Sequence, residues 1–233
     1  PWFLRPLAKI ETGRVLDFET NTVKEFEHTL AVSEIDRTAL LSALDSEIER
    51  SEVESKITVI PIAVDTQQLQ PLHRQENSQR IVTLGTLHYP PNADGIRWFM
   101  NEVFPHVLAE ESGAHLTIIG KNPPTDFLEQ AEQDAQHLRV TGYVEELDPY
   151  LAEAAIMVVP VRAGGGMRVR ILEAFARGMP VVTTTVGLEG IDAQDGQEVI
   201  VRDDPVSFAK AVIDLLRHPE RQPEGRFDGD QRG

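Results

Sequence analysis

Cysteine is absent from the 233 residues. That excludes a disulfide framework, a thiolate zinc site and a cysteine nucleophile, and it suits a cytoplasmic protein. Basic residues are scarce: 22 Lys and Arg stand against 38 Asp and Glu, a formal net charge of −16. Nucleic acid and anionic membrane surfaces both demand a basic face, so neither is expected as the main partner. No apolar run is long enough to cross a bilayer, and membrane association is not evident in the chain. The seven histidines show no HxxxH or HExxH spacing, so no metal site is expected. Two phosphate-binding fingerprints are missing as well, GxGxxG after a first strand and GxxxxGK[ST]. The chain opens on Pro1-Trp2-Phe3 without a charged-then-apolar signal pattern, and it reads as an internal fragment.

What is present is the composition of a soluble globular protein, 41% hydrophobic and 26% charged. Residues 1–28 show no clean period. "TLAV" (29–32) and "ITVIPIAV" (57–64) read as buried strands, the second stopped by Pro61. Between them, Ser33 followed by Asp36 has the pattern of a capped helix start, and the acidic "LDSEIERSEVESK" reads as solvated helix or loop. The polar 65–79 stretch reads as a linker. Beyond it, apolar strands alternate with amphipathic helices: "RIVTLG", "HLTIIG", "LRVTGY", "AIMVVPV", "MPVVTTTVG" and "EVIV" for strands, with Ile96, Phe99, Val103 and Val107 on one helical face. Such a pattern predicts an α/β fold, a doubly wound parallel sheet covered on both faces. The expected organisation is a partial domain and linker over 1–75, the α/β domain over 76–218, and a polar tail over 219–233. Asp228-Gly229-Asp230, the one Asp-x-Asp, falls in that tail and reads as chance.

Ligands of doubly wound sheets bind beyond the carboxyl ends of the strands. Those ends carry Gly85, Gly120, Gly142, Pro160 and Gly187. At one of them "RAGGGMRVRILEAFARGMPVV" (162–182) brings a triple glycine and four arginines into an acidic chain. Glycine lets backbone approach a ligand, and a helix start near Met167 would offer free N–H groups to an anion. Arg168 in the first turn is placed to reach a phosphate. Arg170 lies roughly 200° around the helix from it and has a competing role as i,i+3 partner of Glu173. Glu173 suits a pair of sugar or ribose hydroxyls; equally, it suits a salt bridge to Arg170 or Arg177.

These stretches, with "GTLHYPPNADGIRWFMNEVFP" and "VTGYVEELDPYLAEAAIMVVPV", resemble the C-terminal half of a group 1 glycosyltransferase. The resemblance spans 79–218 and extends more weakly upstream. It implies a GT-B fold, whose C-terminal Rossmann-like domain binds a nucleotide-sugar donor, preceded here by part of the acceptor-side N-terminal domain. By resemblance, Gly165, Gly166, Met167 and Arg168 face the diphosphate and Glu173 holds the ribose. Gly142, Tyr143 and Val144 line the base pocket. Gly85 lies beside the donor, Lys121 substitutes for a missing cation with His88 as the weaker candidate, and Thr183 to Thr185 lie near sugar or phosphate. The activity implied is retaining transfer of a hexosyl-type sugar to a glycan or lipid-linked acceptor, with no cofactor and no metal. The chain departs from the family pattern at Gly165, where the first glutamate of E-x7-E would stand. The family's catalytic histidine has no counterpart here, so the chain alone is not expected to turn over. A nucleotide-sugar epimerase of the same fold and a non-catalytic binding relative are the alternatives.

Overall fold

The structure, a computed structural model, describes residues 5–221. The tail from residue 222 on, with Asp228-Gly229-Asp230, lies outside the described residues, as does Pro1-Trp2-Phe3. The chain forms two compact units that divide between Ile62 and Ala63.

The first unit runs α1 (Arg5–Glu25), β1 (Thr29–Ala31), α2 (Glu34–Ser42), α3 (Glu47–Glu54) and β2 (Ile57–Val59). Its two strands pair in parallel, with Thr29 opposite Ile57 and Ala31 opposite Val59. Ser33 caps α2: its hydroxyl accepts from the Asp36 N–H at 3.1 Å and donates to the Asp36 carboxylate at 2.7 Å. Ser46 caps α3 by accepting the Glu49 N–H at 3.2 Å. Helix α1 is where sequence periodicity found nothing. Of its described side chains only Thr20 and Val23 are buried, while Val15, Leu16 and Phe18 are exposed, so its apolar residues form no single buried stripe. Val23 joins a small core with Ala31, Leu44, Val53 and Ile57.

The second unit contains β3 (Arg80–Leu84), α4 (Pro90–Trp98), α5 (Phe104–Glu110), β4 (His115–Ile119), α6 (Thr125–Gln133), β5 (Leu138–Gly142), α7 (Asp148–Glu153), β6 (Ile156–Val159), α8 (Val169–Ala176), β7 (Val181–Thr183), α9 (Thr185–Leu188), β8 (Ile200–Val201) and α10 (Pro205–Arg217). All six strands are parallel, in the order β5-β4-β3-β6-β7-β8. The chain winds outward from β3 in one direction, returns, and winds outward from β6 in the other. The crevice between β3 and β6 is therefore the switch point at which such sheets take ligands. The doubly wound α/β fold read from the strand pattern is the fold observed.

Ile96, Phe99, Val103 and Val107 are all buried, as their spacing requires. Between α4 and α5 the helix widens into a π turn over Phe99–Val103. Pro105 has no N–H to give to the preceding turn, and the wider turn absorbs that loss without ending the helix. The polar stretch before β3 is strand-free but belongs to this unit. Leu72 donates to the Arg177 carbonyl at 3.1 Å and Gln75 to the Ala152 carbonyl at 2.8 Å.

The two strands of the first unit are shorter and less buried than their sequence reading, β2 ending at Val59 with Leu30 and Ile60 exposed. In the second unit two elements differ. The helix after the glycines starts at Val169 rather than near Met167, so Arg168 is its capping residue and not part of its first turn. "MPVVTTTVG" is not one strand: β7 ends at Thr183, and the Thr184 hydroxyl accepts the Gly187 N–H at 2.9 Å to open α9. The N-cap overrides the β-propensity of a threonine run.

Gly120 is explained by packing rather than by a ligand. A Cβ there would fall on the carbonyl oxygen of Gly85 and stand 2.8 Å from Leu87 Cγ. Backbone cannot yield as a side chain can, so Gly120→Ala is expected to cost about 1–3 kcal/mol or more, measured as a lowered urea midpoint.

Candidate functional site

The glycine loop leads from β6 to α8 beside the switch point. Gly164 (φ 98°) and Gly166 (φ 89°) occupy the left-handed region, which a side chain at either position would strain. Gly165 is different: a Cβ there would meet nothing within 4 Å. Its lack of a carboxylate is therefore not imposed by space. The Ile171 N–H bonds the Arg168 carbonyl at 2.8 Å, and the N–H groups ahead of it have no partner within the helix. These donors and the positive end of α8 face an exposed loop, an arrangement that favours negative charge over positive.

Two arginines stand at this loop in different roles. Arg168 folds back over the glycines, its Nη1 donating to the carbonyls of Gly165 (2.9 Å) and Gly166 and its Nη2 to that of Gly164 (2.7 Å). This holds a charge directly over the loop. Arg170 points the other way and crosses to the end of β3. There its Nη1 donates to the Leu84 carbonyl and its Nη2 to the Asn92 side-chain oxygen at 2.7 Å. Burial and then the neighbouring Arg168 charge push its pKa down to about 10, while Glu173 pulls it up. Gly85 provides the room, since a Cβ there would stand 2.8 Å from Arg170 Nη1.

Glu173 lies one turn into α8 and is partly exposed. Neither local salt bridge forms. Arg170 is engaged at β3, and Arg177 pairs with Asp148 at 3.0 Å and touches only the Glu173 backbone carbonyl. Among the described residues, no protein group hydrogen-bonds to or ion-pairs with the Glu173 carboxylate.

At the ends of β4 and β5 the remaining candidates meet. Lys121 lies over the Tyr143 ring, 4.3 Å from its centroid, and Tyr143 itself is 66% exposed. Gly142 turns the chain at φ 72° with open space where a Cβ would be. Tyr143 and Val144 line an open groove of about 660 Å³ together with Arg139, Thr141, Tyr150 and Glu153. The two groups share one sheet edge. Leu87 N–H donates to the Lys121 carbonyl at 3.2 Å, and His88 contacts Asn122 at 3.4 Å.

The threonines, in contrast, are taken up by the fold. The hydroxyls of Thr183 and Thr184 donate to the carbonyls of Val159 and Val161, both buried, and Thr185 binds Asp203 through its N–H and its hydroxyl. Sequence reasoning missed Asn92 and the reach of Arg170. The "PPN" that opens α4 was the available signal, an amide-bearing side chain beside the glycine that ends β3.

The model of the family "Glycosyl transferases group 1" matches residues 78–218, more than half of the chain. An uncharacterized 44.6 kDa protein from the cps region of Klebsiella pneumoniae is 30% identical over 154 residues, covering 64% of this chain and 40% of its own length. TarM of S. aureus superposes with a TM-score of 0.72 at 15% identity over 90% of this chain and 40% of TarM. HepE of Anabaena does so with a TM-score of 0.67 at 13% identity over 91% of this chain and 60% of HepE. The chain thus spans about two fifths of the Klebsiella protein and of TarM. No described helix is long and apolar enough to cross a membrane. On the family match and the GT-B architecture of its structural neighbours, this chain belongs to the group 1 glycosyltransferases.

Proposed function

We propose that the chain is the donor-binding half of a retaining, hexosyl-type glycosyltransferase. It takes a nucleotide-diphosphate sugar, acts in the cytoplasm, and serves a glycan or lipid-linked acceptor bound by residues beyond this chain. The observation that carries the reading is the free carboxylate of Glu173, one turn behind an exposed glycine loop with a cation over it. In this reading the loop N–H groups of Gly165, Gly166 and Met167 and the Arg168 guanidinium hold the diphosphate. Glu173 accepts from the ribose hydroxyls, and Gly142, Tyr143 and Val144 receive the base. Fixed donors stabilise a departing diphosphate as its charge develops, which is the part a metal ion plays elsewhere, so the transfer is proposed to be metal-independent.

The neighbours support a uridine donor as the first to try: HepE was determined with UDP-glucose, and TarM with UDP. Calorimetric titration with UDP, GDP and TDP tests the reading. Arg168→Ala removes a charged hydrogen bond and is expected to weaken the preferred nucleotide by about 1.5–3 kcal/mol, roughly 10- to 100-fold. If no nucleotide binds at millimolar concentration, the proposal fails.

A further inference from the structure

We infer that Arg170, whose local geometry suggests only a helix salt bridge, is a second diphosphate-binding residue. It would act from the β3 side of the crevice, opposite the Arg168 side. The inference rests on the nucleotide-sugar reading above and assigns a role within it.

Three observations carry it. The guanidinium of Arg170 stands at the carboxyl end of β3, on the switch point, although its backbone belongs to α8 on the far side of that crevice. It is held there by neutral groups alone, the Leu84 carbonyl and the Asn92 amide oxygen, and no carboxylate hydrogen-bonds to it among the described residues. Those two contacts use two of the five guanidinium donors. Among the described residues, the Nε–H and the second hydrogen on each terminal nitrogen find no protein acceptor.

Charge bookkeeping points the same way. The Arg168 charge disfavours that of Arg170, and among the described residues Glu173 is the carboxylate that acts on Arg170. Setting a partly buried cation beside another cation, with neutral anchors, is unfavourable in the empty protein. A ligand carrying two or more negative charges between the arginines reverses that sign, since each gains a charge-assisted hydrogen bond. The β3–α4 loop, "GTLHYPPN", has no lysine or arginine of its own, and Arg170 brings a cation to this wall from α8. Gly85 fits the same account, because its missing side chain leaves space for the guanidinium.

The test compares UDP with uridine, which lacks the diphosphate, against wild type, Arg170→Gln and Gly85→Ala, with folding followed by thermal denaturation. In Arg170→Gln, UDP affinity is expected to fall about tenfold or more while uridine affinity is unchanged. Gly85→Ala crowds side-chain ends alone, Arg170 Nη1 at 2.8 Å and the Asn92 amide at 3.4 Å. It is expected to keep its melting temperature and to lose UDP affinity selectively, to a smaller degree. Wild-type UDP affinity in a folded Arg170→Gln protein overturns the assignment, as does an equal loss of UDP and uridine, which marks general loosening of the crevice. If Arg170→Gln does not fold, an unchanged ratio of UDP to uridine affinity in Gly85→Ala overturns it. Wild-type protein that binds neither compound overturns the nucleotide-sugar reading itself, and that outcome is visible before any variant is made.

Discussion

Phe208→Ala is expected to destabilise the second unit by about 3–5 kcal/mol, the usual cost of deleting a buried aromatic ring. Phe208 is fully buried on α10, the helix that packs on α5, on the π turn and on strands β6 and β7. Its ring meets Trp98 edge-on at 5.6 Å and Phe99 at 5.7 Å, and Phe99 stacks in turn on Phe104 at 6.2 Å. Aromatic pairs of this kind contribute about 0.5–1.5 kcal/mol beyond the area they bury, so the loss includes contacts as well as a cavity. The neighbours cannot close that cavity cheaply. Phe99 and Val103 lie on the π turn, whose backbone is already committed to accommodating Pro105. Phe208→Leu restores most of the volume and should lose well under half as much. The measurement is urea unfolding followed by Trp98 fluorescence. A loss below 1 kcal/mol for the alanine variant would mean that α10 does not close this core.

The sequence was most legible where burial acts on both faces. Strands β3, β4 and β6 are apolar runs because helices cover the sheet on each side, and a run bounded by glycine or proline marks its own ends. It was least legible where one local rule met a long-range one. Arg170 and Glu173 are at i,i+3, and that spacing is all a linear reading has to judge by. The partner that takes Arg170 is Leu84, 86 positions earlier, and only the closing of β6 against β3 brings the two together. The contact of Lys121 with Tyr143 is similar: the strand ends were legible, but their adjacency follows from the β4–β5 register. In α1 the reason is the opposite. A helix with few buried residues has no stripe to read. The threonines after β7 invited a ligand role by position alone, while their hydroxyls serve neighbouring strand ends and a helix cap.

At Glu173 the expected effect is on binding. Two hydrogen bonds from ribose hydroxyls to a carboxylate, at about 1.5–3 kcal/mol each, make Glu173→Ala about 3 kcal/mol or more weaker for UDP, at least 100-fold. Glu173→Gln keeps the shape and one neutral acceptor, so it should retain part of the affinity. A competing account is that Glu173 acts only through its field on Arg170, whose pKa it raises. The two accounts separate on 2′-deoxy-UDP. If the carboxylate touches the ribose, wild type discriminates against the deoxy compound and Glu173→Ala binds both alike, because the partner of the missing hydroxyl has gone. If the carboxylate serves Arg170 alone, Glu173→Ala weakens both nucleotides by one factor and the preference for ribose survives. The double-mutant comparison isolates this term from any loosening of α8, since a change in helix stability acts on both nucleotides equally and cancels in their ratio.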